Sequence, residues 1–215
     1  VHVGNVRKCE KPCPTLKTHK NKMHETKSKK YLGNILSQNG GVKETISDRR
    51  NKGCGKVSQI LVILGEVDFG QNRIEVGLLL RDAILTSGLL FSAEAWSAVS
   101  ETDIKQIEQI DSALLKALVK GHSKTPLIFH HLETGTLMLR HILKINRLMF
   151  HHHILNLEED KTVRKIYEKQ KESCLKGDWI ELVRGDFKFM NIEMDENQIR
   201  NCPKEFIERK FKKRG

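Results

Sequence analysis

Lysine and arginine side chains form three clusters in this sequence, two of them at helical spacing. Such clusters neutralise phosphate groups along a nucleic-acid backbone without reading base sequence. A solvated surface is the alternative for any one cluster alone. We expect a nucleic-acid backbone to contact three groups: Lys27, Lys29 and Lys30; Arg49, Lys52 and Lys56; and Arg140, Lys144 and Arg147.

The net charge of +11 is unevenly distributed along the chain. Residues 1–56 hold 14 Lys/Arg against 4 Asp/Glu, and residues 200–215 hold 7 against 2. The intervening residues 57–199 hold 17 against 21. A basic front on a slightly acidic body predicts a polyanionic partner at one face.

The sequence contains no arrangement typical of a polymerase or nuclease active site. The first aspartate is Asp48, which already lies in a region with helical periodicity. Glycine-rich phosphate loops and the Gly-x-Ser-x-Gly pattern are also absent from the sequence. We therefore assign no catalytic residue to this chain.

A zinc site is the one metal site that the sequence suggests. Cys9, Cys13, His19 and His24 occur in ligand order, but the spacer between the two pairs is much shorter than in common zinc fingers. His151–His153 are consecutive in a predicted helix, so their side chains point about 100° apart and do not converge on one ion. We assign no metal ligand and keep a small zinc-dependent nucleic-acid binder as an alternative.

Cysteine usage and hydropathy indicate where the protein resides. The five cysteines are odd in number and irregularly spaced, which favours a reducing, intracellular compartment over a disulfide framework. No apolar run approaches the ~20 residues of a membrane helix, so we predict no membrane partner. The chain begins with Val1, which suggests a fragment of a longer protein.

The elements that position the cations change type near residue 40. Short strand-like segments come first, and KYLGNILS (residues 30–37) is predicted to be a strand in which Gly33 marks a bulge or a close backbone approach. QNGG at residues 38–41 is a turn signal, and the apolar period becomes about 3.6 from Val42. The predicted fold class is α+β, predominantly α: a short antiparallel β segment followed by a helical bundle.

Five of the later predicted helices follow from periodicity and end signals. In the first long helix, Gly53 and Gly55 indicate either tight helix packing or the approach of a nucleic-acid backbone. Arg73–Leu90 is apolar on all sides, which predicts a buried helix. The other predicted helices are a Ser100-capped helix to Lys120, then Leu137–Leu155, Asp160–Cys174 and Trp179–Phe189.

Several segments resemble the reverse transcriptases of non-LTR (LINE-type) retrotransposons, most closely the site-specific clade with a restriction-like endonuclease. The resemblance covers about residues 1–190. Departures from the family pattern are Asn34, where relatives usually have Asp, and Met138, where they usually have Pro. The similar segments are THKNKMHETKSKKYLGNILSQNG, GLLLRDAILTSGLLFSAEAW, IEQIDSALLKALV, SKTP and HLETGTLMLRHILKINRLMFHHHIL.

The resemblance implies a division of the chain and a site. Residues 1–37 would be the C-terminal β part of the polymerase palm, 38–157 the helical thumb, and 158–215 a helical connector. Tyr31, Leu32 and Gly33 would occupy the primer-grip position. The polymerase aspartates would lie before Val1, so the chain would not polymerise alone. The parent enzyme would use Mg²⁺, whereas we expect no cofactor in this chain.

These expectations define one function and two alternatives. The chain is expected to bind RNA and RNA–DNA template–primer, together with the remainder of the same polyprotein. Its expected location is a nuclear or cytoplasmic ribonucleoprotein. The alternatives are a helical protein-interaction module without a nucleic-acid role and the zinc-dependent binder.

Overall fold

The computed structural model describes residues 17–18, 21–22, 26–31, 33–38, 41–122, 124–173, 177–193, 195–203, 205 and 209. These residues are mostly helical and include short antiparallel strands, which confirms the predominantly α prediction at that level. The strands are β1 Lys17–Thr18, β2 Asn21–Lys22, β3 Ser28–Tyr31 and β4 Asn34–Ser37. The helices are α1 Lys43–Glu66, α2 Arg73–Leu80, α3 Ser87–Leu89, α4 Glu101–Leu118, α5 Leu127–Thr134, α6 Leu139–Leu155, α7 Thr162–Ser173, α8 Trp179–Phe189 and α9 Glu196–Asn201.

Strands β3 and β4 form an antiparallel hairpin in which Tyr31 pairs with Asn34. The prediction of one continuous strand through residues 30–37 was therefore wrong. Gly33 has φ +80°, a left-handed conformation that side chains rarely adopt, and it lies where the chain reverses. Glycine at this position thus serves a tight turn rather than a bulge in a single strand.

Helices α2 and α3 are joined without a break by a π-helical segment, Arg81–Thr86. A π segment shifts the backbone hydrogen bonds and leaves carbonyl groups for other donors. Lys56 Nζ donates to the Ile84 carbonyl at 2.8 Å. The apolar composition predicted a buried helix. The helix is not buried on all sides, because Leu79 is 65% exposed.

The first hydrophobic core lies between α1, α4, the α2–α3 helix and the N-terminal half of α6. Gly53 lets α1 approach its neighbours closely, because a Cβ there would lie 2.9 Å from Leu89 Cδ2 and 3.2 Å from Ile110. Gly55 has nothing within 4 Å of a Cβ position. Helix packing therefore explains Gly53, and Gly55 faces open space.

The second core joins the C-terminal half of α6 to α7, α8 and α9. Leu143 belongs to the first core and Ile145 to the second, so α6 contributes to both. The proposed boundary at residue 157 stays a prediction. None of the described helices is long and apolar enough to cross a bilayer.

Local end signals agree with the observed helices. Ser100 caps α4 through a capping box with Asp103, as its sequence predicts. Asp195 caps α9 in the same way with Gln198. Helix α8 has the predicted bounds, Trp179–Phe189.

Candidate nucleic-acid interface

Two side chains on successive turns of α1 dock the β3–β4 hairpin. Thr45 is buried, and its Oγ1 accepts a hydrogen bond from Ile35 N at 2.9 Å and donates to Ile35 O at 3.2 Å. The Thr45 hydroxyl thus forms the two hydrogen bonds with Ile35 that the backbone of a neighbouring strand would otherwise form. One turn later, Arg49 Nη2 donates to Gly33 O and Asn34 Oδ1, both at 3.1 Å. The hairpin turn is therefore held at a defined place on α1.

Arg49 also connects the hairpin to the end of the α2–α3 helix. Its guanidinium donates to Gly88 O and Phe91 O, and its side chain is only 6% exposed. Burial lowers the pKa of this guanidinium, and the charge of nearby Asp48 offsets only part of that effect. The expectation that Arg49 contacts phosphate is corrected here: both terminal nitrogens, Nη1 and Nη2, donate to oxygens of the protein, and the buried side chain acts as a clamp.

An open groove of about 380 Å³ lies where the hairpin turn, α1 and α3 meet. Its walls combine cationic, apolar and glycine residues, with no carboxylate among the described residues that line it. The structure thus brings Gly33 of the predicted primer grip beside the α1 stripe. The lining residues are Gly33, Arg49, Lys52, Gly53, Lys56, Ser87, Gly88, Leu89 and Phe91.

The two lysines of the stripe remain partly accessible in the groove. The Lys52 side chain is 52% exposed and pairs with Asp48. The hydrogen bond from Lys52 keeps the pKa of Asp48 below its ordinary value. Lys30, on the hairpin, lies 3.5 Å from the same carboxylate. Lys56 is half-buried and packs against Gly88. A Cβ added to Gly88 would collide with the ammonium group of Lys56. Lys52 is therefore exposed enough to meet an anion while it pairs with Asp48, whereas the half-buried Lys56 lines the groove and donates to the Ile84 carbonyl.

The rest of the hairpin adds charge and one aromatic ring. Lys27 and Lys29 are exposed, as the surface interpretation requires. Tyr31 is 62% exposed at the end of β3. Leu32, the remaining residue of the predicted primer grip, lies outside the described residues.

The α6 cluster differs from the α1 stripe, because the carboxylates of Glu108 and Asp186, which pair with its arginines, are themselves buried. Arg147 is 4% exposed and its Nη1 lies 2.8 Å from Asp186, where burial raises the pKa of the carboxyl group. Arg140 binds buried Glu108 through Nε at 2.8 Å and Nη2 at 2.6 Å. The predicted phosphate-binding role is corrected for Arg147, which is interior, and Arg140 is occupied by a bidentate ion pair.

Lys144, the third member, lies over an aromatic ring. Its Nζ is 3.5 Å from the centre of the Phe189 ring, a cation–π contact. Burial lowers the pKa of Lys144, with a smaller opposing effect from Asp186. The α6 cluster is thus mainly engaged by α4 and α8.

The sequence pattern missed part of the groove wall, namely Ser87, Gly88 and Phe91. One sequence feature could have indicated Gly88, namely a glycine inside an apolar helix, because such a glycine often marks a close approach of another group. Phe91 had none, because a single aromatic residue after GLL is compatible with a core position. Its side chain is instead 55% exposed at the groove.

No metal centre is found among the residues that the structure describes. His151 Nε2 lies 3.1 Å from Tyr167 Oη, His152 Nε2 lies 3.1 Å from Cys202 O, and His153 stacks on Phe150. The three imidazoles thus have separate surroundings. The zinc alternative concerns Cys9, Cys13, His19 and His24, which lie outside the described residues.

Comparison with known proteins adds no assignment to this geometry. No protein-family model, no curated protein sequence and no solved structure matches the chain.

Proposed function

We propose that the chain is the thumb-side segment of a non-LTR retrotransposon reverse transcriptase and that it binds template–primer nucleic acid through the groove. One observation carries the proposal: the hairpin turn at Gly33 and the ammonium groups of Lys52 and Lys56 line the same open groove. The sequence resemblance independently assigns that turn to a primer grip. Lys27 and Lys29, exposed on the hairpin, extend the cationic surface.

The proposed binding is electrostatic and independent of base sequence. Lysine ammonium groups that replace condensed counterions on phosphates make the affinity fall with salt concentration. Arg49 contributes indirectly, because it holds the turn that forms one wall. RNA and RNA–DNA duplexes are therefore the expected ligands, within a ribonucleoprotein that contains the rest of the polyprotein.

Fluorescence anisotropy of a labelled RNA–DNA duplex, measured across a salt series, tests this proposal. Lys52→Gln with Lys56→Gln is expected to weaken binding and to reduce the slope of log K against log salt by about 1 to 2. The matched control is Lys161→Gln with Lys165→Gln, an exposed pair with the same spacing at the start of α7. Lys161, which directly precedes this helix, is 53% exposed and paired with Glu158. Equal effects of the two double variants would show binding by overall charge alone.

The isolated chain is not proposed to polymerise. The resemblance places the aspartates that catalyse nucleotide transfer before Val1, and the part of the groove wall that the structure describes has no carboxylate. Nucleotide incorporation by the purified chain on a primed template, with Mg²⁺ present, would contradict this part of the proposal.

A helical protein-interaction module is the second candidate, and α5 favours it. Ile128, Phe129 and Leu132 are 46%, 56% and 68% exposed and lie on one side of this helix. Contiguous exposed apolar side chains are typical of contact surfaces. Leu132→Lys is then expected to abolish concentration-dependent self-association in sedimentation equilibrium. A monomeric wild-type chain would remove self-association as the role of α5.

A further inference from the structure

The groove contains an aromatic ring that phosphate binding does not require. Phe91 immediately follows the α2–α3 helix, and its side chain stays 55% exposed. Exposing so much of a phenyl ring to water is unfavourable, whereas a bound flat ligand would cover it. A flat ligand group that covered the ring would remove this apolar area from water.

The position of Phe91 is defined although its ring is exposed. Its carbonyl accepts a hydrogen bond from Arg49 Nη2 at 3.1 Å, and Arg49 Cζ lies 5.5 Å from the ring centre. One side of the ring lies close to the hairpin turn, because a Cβ on Gly33 would lie 3.5 Å from Phe91 Cε1 and 3.6 Å from Phe91 Cδ1. A ring held in this way loses little conformational entropy when a ligand stacks on it.

The other walls select the chemistry of that ligand. Lys52 and Lys56 provide positive charge in the same groove, and its lining among the described residues contains no carboxylate, although Lys52 also pairs with Asp48 beside it. The volume of about 380 Å³ lies within the range of small-ligand sites. A nucleotide combines a flat base, which can stack on Phe91, with an anionic phosphate, which the two lysines can bind.

We propose that the groove holds one unpaired nucleotide at a strand end, with its base stacked on Phe91 and its phosphate beside Lys52 and Lys56. This inference rests on the proposed function and adds a base contact to it. Bases inside a duplex have both faces covered by their neighbours, so only an unpaired or terminal base offers a face to an aromatic side chain. The groove therefore distinguishes the end of a duplex from its middle.

A pair of duplex ligands with equal charge tests the inference. Both are the same short RNA–DNA duplex with one extra residue at the DNA 3′ end, which is deoxyadenosine in one ligand and an abasic site in the other. Because the phosphates are identical, a difference in affinity reports base stacking alone. The wild-type chain is expected to bind the first ligand about tenfold more tightly, within the range for one base–aromatic stack.

Variants of Phe91 assign that difference. Phe91→Ala and Phe91→Leu are expected to abolish it, the second while keeping an apolar contact with the hairpin turn, and Phe91→Tyr is expected to keep it. Phe129→Ala is the matched control, because Phe129 is 56% exposed on α5 and does not line the groove. Thermal unfolding followed by circular dichroism verifies that each variant is folded.

The outcomes separate the inference from the proposed function. If the duplex binds but the base and abasic ligands have equal affinity, the inference is overturned and the proposed function stands. A difference that survives in both Phe91→Ala and Phe91→Leu overturns it as well. If neither ligand binds at low salt, the proposed function fails, and the inference fails with it.

Discussion

The α1 stripe and the α6 cluster share a sequence pattern but have different surroundings. Lys52 and Lys56 line an open groove. Arg147 is buried against Asp186, and Lys144 lies over Phe189. The comparison shows that helical spacing identifies residues on one helix face but does not reveal what covers that face.

The covering groups come from distant parts of the chain. Asp186 is 39 residues from Arg147, and Glu108 is 32 residues from Arg140. Even within the α1 stripe, Arg49 turns inward and binds carbonyls of Gly88 and Phe91. A cation stays available to an outside ligand where its side chain remains exposed, as that of Lys52 does beside Asp48, and not where both partners of an ion pair are buried, as Arg147 and Asp186 are. This can be tested at individual positions.

The largest expected effect concerns the buried ion pair of α6. Arg147→Met is expected to lower the free energy of unfolding by about 3 kcal/mol, because it leaves Asp186 buried without a counter-charge. Adding Asp186→Asn should restore part of this loss. Urea denaturation measures both changes, and Lys52→Met, at an exposed position, should change stability by less than about 0.5 kcal/mol. A small loss for Arg147→Met would break the comparison.

His151 lies on the same covered part of α6 and adds a dependence on pH. Burial lowers the pKa of His151 to about 4, and a smaller opposing effect comes from Glu196. The unfolded chain binds the proton near pH 6.5, so stability is expected to fall by roughly 3 kcal/mol as the pH decreases from about 6.5 to about 4. Urea denaturation across this range should show a weaker dependence in His151→Gln.

The control for His151 is an exposed neighbour. His153→Gln should keep the wild-type dependence, because His153 is exposed on α6. An unchanged pH profile in His151→Gln would mean that this part of α6 is open to water, and the contrast with α1 would weaken.

Two glycines test the contrast between a covered and an open side within α1 itself. Gly53 lies on the covered side and Gly55 on the open one. Gly53→Ala is expected to destabilise the protein by about 2 kcal/mol, because the new Cβ meets the packed side chains of Leu89 and Ile110. Gly55→Ala is expected to stabilise it by about 1 kcal/mol, since open space surrounds that position and alanine is the better helix former. Thermal and urea unfolding of the two variants measure the difference. Equal effects would contradict the described packing of α1.

The smallest expected effect concerns the clamp at the hairpin. Asn34→Asp is expected to raise the free energy of unfolding by about 1 kcal/mol at pH 7, because a carboxylate would replace the neutral Oδ1 that accepts from Arg49. Protonation of the new carboxyl group at low pH should remove the gain. Asn34→Ala is the control and should be less stable than wild type. No gain for Asn34→Asp would argue against Arg49 as the clamp.

The sequence predicted much of the helical framework. Ser100 and Asp103 form the expected capping box, and Trp179–Phe189 is a helix with the predicted bounds. These features depend on residues close together in sequence, whose contacts are local. The hairpin was not predicted, because local sequence does not distinguish the two structures. A strand with a glycine bulge and a hairpin that turns at Gly33 have the same local pattern.

The candidate site was predicted only in part. Lys52, Lys56 and Gly33 were identified by type and spacing, and they line one groove. Phe91 was not, because its exposure follows from the position of the hairpin turn and from the hydrogen bond between its carbonyl and Arg49. The role of Arg49 was reversed for the same reason, since its acceptors come from two separate segments, the hairpin turn and the end of the α2–α3 helix.

Local pattern was therefore enough for the helices, their caps and the shared faces of the cationic residues, because these follow from backbone geometry and neighbours within a few positions. The tertiary structure decided which cations are buried in ion pairs, where the chain turns on Gly33 and which aromatic ring faces the groove. Those outcomes depend on desolvation and on partners tens of residues away. The same spacing therefore produced an open groove on α1 and a covered cluster on α6.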